Sequence, residues 1–405
     1  MKCCPPREPF NPSTHELNTP PTFQPSNFPY LPSKTTLPFY LDQTILLLFL
    51  AATAIQLVYW LGLFLRFALH QPDPPPSVPA EPVSIIICAR NEAKQLRRYL
   101  PYFLAQDHPN YELIVVNDHS SDKSLDVLLE IQQKSPILRI VSITTKDARG
   151  KKAALSEGIK AAKNKIVLLS DADCQPASAH WATQMQSAVS GPTSIGLGYS
   201  PYLREEGVLN AFIRFETVYS AIQYLSFAFV GCPYMGVGRN LVYRKSLFEQ
   251  AGGFALHQAV TSGDDDLFVN QVATANNTRV VLSPDAFVYS QPKSSSRGYY
   301  RQKRRHLSTG SRYRWQHQLL LGLLSASHFG HYVLGLASIL FFNLAIIVII
   351  NYLARIVVVS AVYYYTLRKL RDPSLIYWVP IFDALYILYY LLFAPALFKT
   401  KEPWT

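Results

Sequence analysis

The chain has 405 residues, 49% of them hydrophobic and 16% charged, with a net charge of +11. That length accommodates one catalytic domain of about 230 residues plus membrane segments. Much of the positive excess lies in Arg297–Arg314, which holds seven Lys/Arg and no acid; apolar spans follow directly, so it reads as a membrane-surface element and not as a nucleic-acid patch.

Residues 1–43 carry ten Pro and little periodicity, and are expected to be disordered. Thr44–Leu69 is apolar except for Arg66 and long enough to cross a bilayer. It exceeds a signal-peptide core, lacks a clear cleavage motif and reads as an anchor. Residues 70–82, containing QPDPPPSVPAEP, form a stiff extended linker. Residues 83–296 then read as the catalytic domain. Strands are expected at Val83–Cys88, Tyr111–Val116, Ile137–Ile143 and Lys165–Ser170. Helices are expected at Glu92–Ala105, Ser124–Gln132 and Lys151–Lys163. That alternation, with fully apolar strands, predicts an α/β fold on a mostly parallel sheet covered by helices on both faces. Further on, Glu205–Phe229 and Asp264–Ala275 read as helices, and Tyr234–Tyr243, Arg279–Leu282 and Phe287–Ser290 as strands. Residues 297–315 form the basic interfacial segment. Residues 316–398 hold about three transmembrane or membrane-embedded helices (Gln318–Phe342, Leu344–Leu367 with Arg355, and Leu375–Phe398 with Asp383), before a tail at 399–405. Arg66, the 297–314 cluster and Arg368-Lys369-Arg371 all fit a cytoplasmic catalytic domain by the positive-inside rule. Cys88, Cys174 and Cys232 fall in separate elements and read as reduced core thiols, not a disulfide set.

The chemistry begins at Asp171-Ala172-Asp173, where the apolar strand ends. Open α/β sheets bind ligands at that edge, residues i and i+2 share one side of a strand, and two carboxylates suit a hard divalent ion held against a diphosphate. Cys88-Ala89-Arg90-Asn91-Glu92 follows the first strand; Arg90 and Glu92 there can face a nucleotide, or the turn is simply a helix capped by Asn91. Asp118 ends the second strand and can accept from a base or ribose, while the neighbouring His119 reads as solvent-facing. Arg149-Gly150-Lys151-Lys152 opens a helix and lacks Walker spacing; Lys151 either meets a phosphate or is solvated. In Gly263-Asp264-Asp265-Asp266-Leu267 three adjacent carboxylates repel one another unless a cation or a proton intervenes, and one of them can serve as a general base. Gln302-Lys303-Arg304-Arg305-His306 offers Gln302 and Arg305 to diphosphate oxygens or lipid headgroups, and a juxtamembrane basic cluster explains the charge equally well.

Taken in order, the stretches SIIICARNEAKQLRRYL, YELIVVNDHSSDKS, GKKAALSEGIKAAKNKIVLLSDADCQP, and GRNLVYRKSLFEQAGGF followed by SGDDDLFVNQVA resemble the family 2 glycosyltransferases. The resemblance covers roughly Pro82–Trp315. It implies a GT-A fold, a nucleotide-diphospho-sugar donor, and Mg2+ or Mn2+ held by Asp171 and Asp173. It places Asp118 at the base of the nucleotide. The family's Glu-Asp-x-Asp-Leu motif aligns with residues 263–267, making Asp264 the catalytic base with Asp265 as the alternative; Gly263 stands where the family carries Glu. Gln302, Arg305 and His306 align with the Gln-x-x-Arg-Trp motif of processive members, with His in place of Trp. The activity implied is inverting transfer to a lipid-linked or glycan acceptor, for cell-surface glycan or glycolipid synthesis at a bacterial inner membrane. The rival readings are a processive polysaccharide synthase and an inactive membrane scaffold of the same fold. A nucleotidyltransferase would instead show a Gly-rich basic nucleotide loop at its N-terminus.

Overall fold

The computed structural model describes residues 36–71, 80–143, 150–258, 260, 262–342 and 344–395. Most of the Pro-rich N-terminus, most of the linker and the C-terminal tail therefore lie outside the described residues. The first helix, α1 (Thr36–Leu57), begins earlier than the expected 44. It continues through a π-helical stretch, Val58–Phe64, into α2 (Leu65–Leu69).

The catalytic domain starts with β1 (Val83–Ala89), α3 (Ala93–Leu104), β2 (Tyr111–Asp118), α4 (Ser124–Lys134), β3 (Leu138–Ile143), α5 (Lys151–Ala161) and β4 (Ile166–Asp171). These are the seven elements expected here from the alternation of apolar runs and helical periodicity. The next elements are β5 (Cys174–Pro176), α6 (Trp181–Gln186), β6 (Ile195–Gly198), α7 (Val208–Phe229), β7 (Leu241–Arg244), α8 (Lys245–Gln250), α9 (Asp266–Val272), β8 (Thr278–Val281), β9 (Val288–Ser290) and α10 (Ser296–Leu307). One seven-stranded sheet has the order β3-β2-β1-β4-β7-β6-β8, and β5 pairs with β9 apart from it. The β1–β2, β2–β3, β1–β4 and β6–β8 pairs are parallel, while β7 is antiparallel to both neighbours. Chain order reverses direction between β1 and β4, so the switch-point crevice opens there, outside their carboxyl ends. Gly158 brings α5 close to the sheet: a Cβ at that position would meet Ile86 Cγ2 at 2.6 Å and Val116 Cγ2 at 2.9 Å.

Four short elements, β5, α6, β6 and α8, were not expected, nor was the helix α10 in the basic segment. The strand expected over Tyr234–Tyr243 begins only at Leu241. Upstream, the backbone bonds to side chains instead of to a ladder: Gly238 N–H donates to Asp265 Oδ2 at 2.7 Å, and Tyr234 C=O accepts from Asn270 Nδ2 at 2.8 Å.

Beyond α10, α11 (Trp315–Phe342), α12 (Ala345–Lys369) and α13 (Val379–Phe393) complete the described chain. Four helical segments, Gln43–Leu69, Trp315–Phe341, Ala345–Lys369 and Pro373–Phe393, are long and apolar enough to cross a membrane. Large apolar side chains such as Leu47, Leu340, Ile346, Ile350 and Leu388 are exposed on them, as lipid-facing surfaces require. Arg355 and Asp383 form a buried ion pair at 2.5 Å between α12 and α13. Gln56 accepts from Arg355 Nη2 at 3.0 Å and Tyr332 donates to Asp383 at 2.5 Å, so these polar groups find partners inside the bundle. Helix α7 joins domain to bundle through stacked rings, Phe215 with Tyr363 at 5.3 Å and Trp60 with Tyr219 at 6.3 Å.

Candidate active site

The crevice is assembled from strand ends. In the β1–β4 register Cys88 lies opposite Asp171, and in the β1–β2 register Ala89 lies opposite Asn117. Asp118, Asp171 and the turn carrying Arg90 and Glu92 therefore share one edge. Two left-handed residues, Asn91 (φ 56°) and His119 (φ 51°), turn the chain there. Asn91 does not cap its helix; its side-chain oxygen accepts from Ser121 N–H at 2.8 Å. Asp122 accepts from the N–H groups of Ser124 (2.9 Å) and Ala93 (3.1 Å), tying the two loops together. His119 is half-buried, and its Nδ1 lies 2.8 Å from Asp118 Oδ1. Asp118 is buried, and its Oδ2 has no hydrogen-bond partner among the described residues. A buried orphan acceptor aimed at a crevice fits a ligand donor such as a base N–H or ribose hydroxyl.

Lys151 organises the centre. Its ammonium lies 3.0 Å from Asp171 Oδ1 and 3.2 Å from Asp264 Oδ2, bridging the end of β4 to the loop before α9. Gly150, at φ +104°, turns the chain into α5 just ahead of it. The next residue, Lys152, donates to the carbonyls of His257 (2.6 Å) and Val260 (2.8 Å), pinning the segment that leads to the triple-Asp loop. The helix-opening lysines thus hold the two acidic clusters in one place.

The three loop acids have different surroundings. Asp264 is 7% exposed, and its Oδ2 accepts no hydrogen bond among the described residues beyond the Lys151 ion pair. Asp265 accepts from Gly238 N–H (2.7 Å) and Asp266 N–H (2.9 Å). Burial first, then Asp264 and Asp266, pushes its carboxyl up to about 7. Asp266 turns away from the crevice, accepting from Tyr313 OH at 2.8 Å and from Thr309 Oγ1. Gly263 adopts φ +94°, and a Cβ there would meet Leu267 Cδ1 at 2.5 Å. This backbone favours glycine.

Electrostatics separate the Asp171/Asp173 pair. Burial works to raise Asp171, but Lys151, with Arg239 and Arg305, holds it below the usual carboxylate range. Burial and the neighbouring Asp171 push Asp173 up. Burial, then Asp173, raises Glu92 to about 7. Carboxylate oxygens of Asp171 and Asp173 and the Cys174 sulfur lie within 4.8 Å of one another. Burial keeps the Cys174 thiol protonated, so the effective donors are two carboxylates, which suit a hard divalent cation such as Mg2+ or Mn2+.

Arg239 carried no expected role, although it lies in the GRN stretch. It donates to Ser200 Oγ (2.7 Å) and Tyr202 OH (3.1 Å), and its charge bears on both Asp171 and Asp173. Gln302 reaches the same Tyr202 hydroxyl at 3.1 Å. Arg305, one turn along α10, is half-buried and its charge helps depress Asp171. Arg90 is half-buried in the turn after β1.

Acid pairs at the switch point of a mostly parallel sheet, next to a bundle of apolar helices, mark a membrane-bound glycosyltransferase with a GT-A fold. A solved mannosyltransferase from Pyrobaculum calidifontis, in complex with GDP-Man and Mn2+, matches 86% of this chain and 99% of its own at a TM-score of 0.56 and 18% identity, a likeness of fold. The family model for glycosyl transferase family 2 matches residues 84–249, and that for glycosyl transferase family group 2 matches residues 176–397. The chain belongs to glycosyltransferase family 2.

Among curated relatives, a dolichyl N-acetyl-alpha-D-glucosaminyl phosphate 3-beta-D-2,3-diacetamido-2,3-dideoxy-beta-D-glucuronosyltransferase of Methanococcus voltae is 36% identical over 96 residues, 23% of this chain and 30% of that protein. The probable glycosyltransferase YdaM of Bacillus subtilis (strain 168) is 25% identical over 236 residues, 55% of this chain and 54% of its own length. The chain thus spans about a third to a half of the length of these two relatives.

Proposed function

We propose that this glycosyltransferase moves a sugar, with inversion, from a nucleotide-diphospho-sugar to a hydroxyl of a lipid-linked or glycan acceptor at the cytoplasmic face of a bacterial inner membrane, in cell-surface glycan or glycolipid synthesis. The observation that carries this reading is Lys151, which draws Asp171 and Asp264 into one crevice at 3.0 and 3.2 Å.

In this mechanism Asp264, whose Oδ2 meets the Lys151 ammonium but no other hydrogen-bond donor among the described residues, takes the proton of the acceptor hydroxyl. The acceptor oxygen attacks the anomeric carbon as the bond to the diphosphate breaks, and the nucleoside diphosphate leaves. Asp265 is the weaker candidate for base, since Gly238 and Asp266 N–H groups occupy its two oxygens. Lys151, Arg305 and Gln302 orient the diphosphate, Asp118 takes the nucleotide base, and Arg90 and Glu92 flank it. Asp171 and Asp173 would hold a divalent cation such as Mg2+ or Mn2+, which would supply positive charge against that developing on the leaving group. Two relatives support the substrate classes: the Methanococcus enzyme's name specifies a dolichyl-phosphate-linked sugar, and the Pyrobaculum structure contains GDP-Man with Mn2+. Arg66, the basic cluster and Arg368-Lys369-Arg371 support the cytoplasmic orientation. His306, in place of Trp, favours addition of one or a few sugars over a long polymer.

The test is nucleotide release by detergent-purified protein from UDP-, GDP- and dTDP-sugars, with Mn2+ or Mg2+ and with EDTA. One donor is expected to react, with loss in EDTA and in Asp173→Ala. Asp264→Asn should bind donor yet lose transfer by about 10²–10⁴-fold. Wild-type transfer by Asp264→Asn would move the base to Asp265, and neither release nor calorimetric binding of any donor would overturn the enzymatic reading.

A further inference from the structure

The third acid of the triplet faces away from the chemistry. Asp266 opens α9, is 8% exposed, and accepts from Tyr313 OH at 2.8 Å and from Thr309 Oγ1, itself fully buried. One turn along the same face, Asn270 Oδ1 accepts from Arg314 N–H at 2.9 Å, and Asn270 Nδ2 lies 2.9 Å from His317 Nδ1. Arg314 also donates to the Gln271 carbonyl at 2.6 Å, and the Tyr234 ring packs against Tyr313 at 5.8 Å. Every one of these partners from the 309–317 segment lies where the chain enters α11, which begins at Trp315. The helix that follows the base loop is therefore fastened along one face to the root of a membrane span. An ordinary acid in a first helical turn would face water or the helix N-terminus; this one is buried against two hydroxyls.

We propose that Asp266 is a positioning residue, locking the loop that carries Asp264 onto the Thr309–His317 root of α11, so that the membrane helix sets where the base stands and does more than tether the domain. This rests on the reading of Asp264 as base. Asp264 is two residues from the lock and is joined to it through Asp265, whose oxygens hold Gly238 and Asp266 N–H. Releasing Asp266 leaves Lys151 at the start of α5, Asp171 at the end of β4 and Asp173 just beyond it, all outside the fastened segment.

The test uses full-length protein with Thr309→Val/Tyr313→Phe, which removes both donors and leaves Asp266 in place. Transfer kcat is expected to fall about 10–100-fold, the scale of a small misplacement of a reacting group. Donor KM and calorimetric donor Kd should change far less than kcat, since neither substituted residue is itself a donor-holding one, although Thr309 Oγ1 also reaches the His306 carbonyl at 2.7 Å, next to Arg305. Hydrogen exchange of amides 262–268 should quicken while β1 and β4 stay protected. Thr309→Ser, which keeps the hydroxyl, should retain wild-type kcat. If the double variant does not fold, the single variants each retain one bond and should show smaller changes in the same direction. Unchanged kcat and unchanged exchange would overturn the proposal, as would donor Kd weakening in step with kcat. Asp264→Asn separates the two ideas: if it keeps transfer the base assignment fails, while the exchange measurement still decides the lock.

Discussion

Replacing Lys151 by Met keeps most of the aliphatic stem and removes the ammonium that bridges Asp171 and Asp264. At 3.0 and 3.2 Å, and an effective dielectric near 20, each attraction is worth about 5 kcal/mol before desolvation is counted. Burying the charges consumes much of that, so losing the shared partner is expected to destabilise the catalytic domain by about 3–5 kcal/mol. Asp171 is 30% and Lys151 25% exposed, which favours the lower end. For a domain of this size that corresponds to about 6–12 °C in Tm. The pH dependence follows from Asp171. Its pKa is lowered in the folded state, so Lys151's contribution is present above the ordinary carboxylate pKa of about 3.9 and fades as pH falls through the folded value. The Tm gap between wild type and Lys151→Met should be full at pH 7 and close below about pH 4. Mn2+ should raise the variant's Tm more than the wild type's, because the metal replaces a lost positive charge beside Asp171. The assay is thermal unfolding of detergent-purified protein, without donor, from pH 3 to 8 with and without Mn2+. A gap under about 2 °C at pH 7, or one that widens in acid, would refute the reasoning.

Asp265→Asn addresses a carboxyl whose folded pKa is raised to about 7 by burial and its acidic neighbours. Between about pH 4 and 7 the native state binds the extra proton, so stability falls as pH rises through that window. The neutral amide removes that titration but meets one of the two N–H donors with its own NH2 group, so the Tm of Asp265→Asn relative to wild type should rise from pH 4 to pH 8. Gly263→Ala places a Cβ 2.5 Å from Leu267 Cδ1 on a backbone at φ +94°. A cost of about 2–4 kcal/mol is expected from the left-handed conformation and the overlap. Calorimetry should find donor binding kept while transfer falls at least tenfold; wild-type transfer would mean that the loop tolerates a side chain.

The parts of this enzyme that depend on local patterning were legible in the residues. Apolar runs with polar residues at their ends announced β1, β2 and β4, the last two ending in Asp118 and Asp171, because a strand covered on both faces is largely apolar and its polar terminus marks the sheet edge. Membrane helices were legible from length and apolarity alone. Glycine at 263 looked like a departure from the family motif, and only its φ of +94° revealed that the backbone there favours glycine. The expected strand over Tyr234–Tyr243 failed because Asp265 and Asn270, distant in sequence, claim its backbone groups. Lys151 was legible as a helix-opening cation, but whether it met water, phosphate or a carboxylate depended on the sheet order that brings α5, β4 and the Asp264 loop together. The division of labour within the triple Asp was likewise a tertiary matter: three identical side chains differ only in what surrounds them. The Arg355–Asp383 pair follows the same rule, since two charges in separate spans find each other only once the helices pack. Local periodicity and burial determined the strands, helices and acid-bearing edges. The sheet crossovers and helix packing decided which charges became neighbours, because those pairings join residues that no local pattern connects.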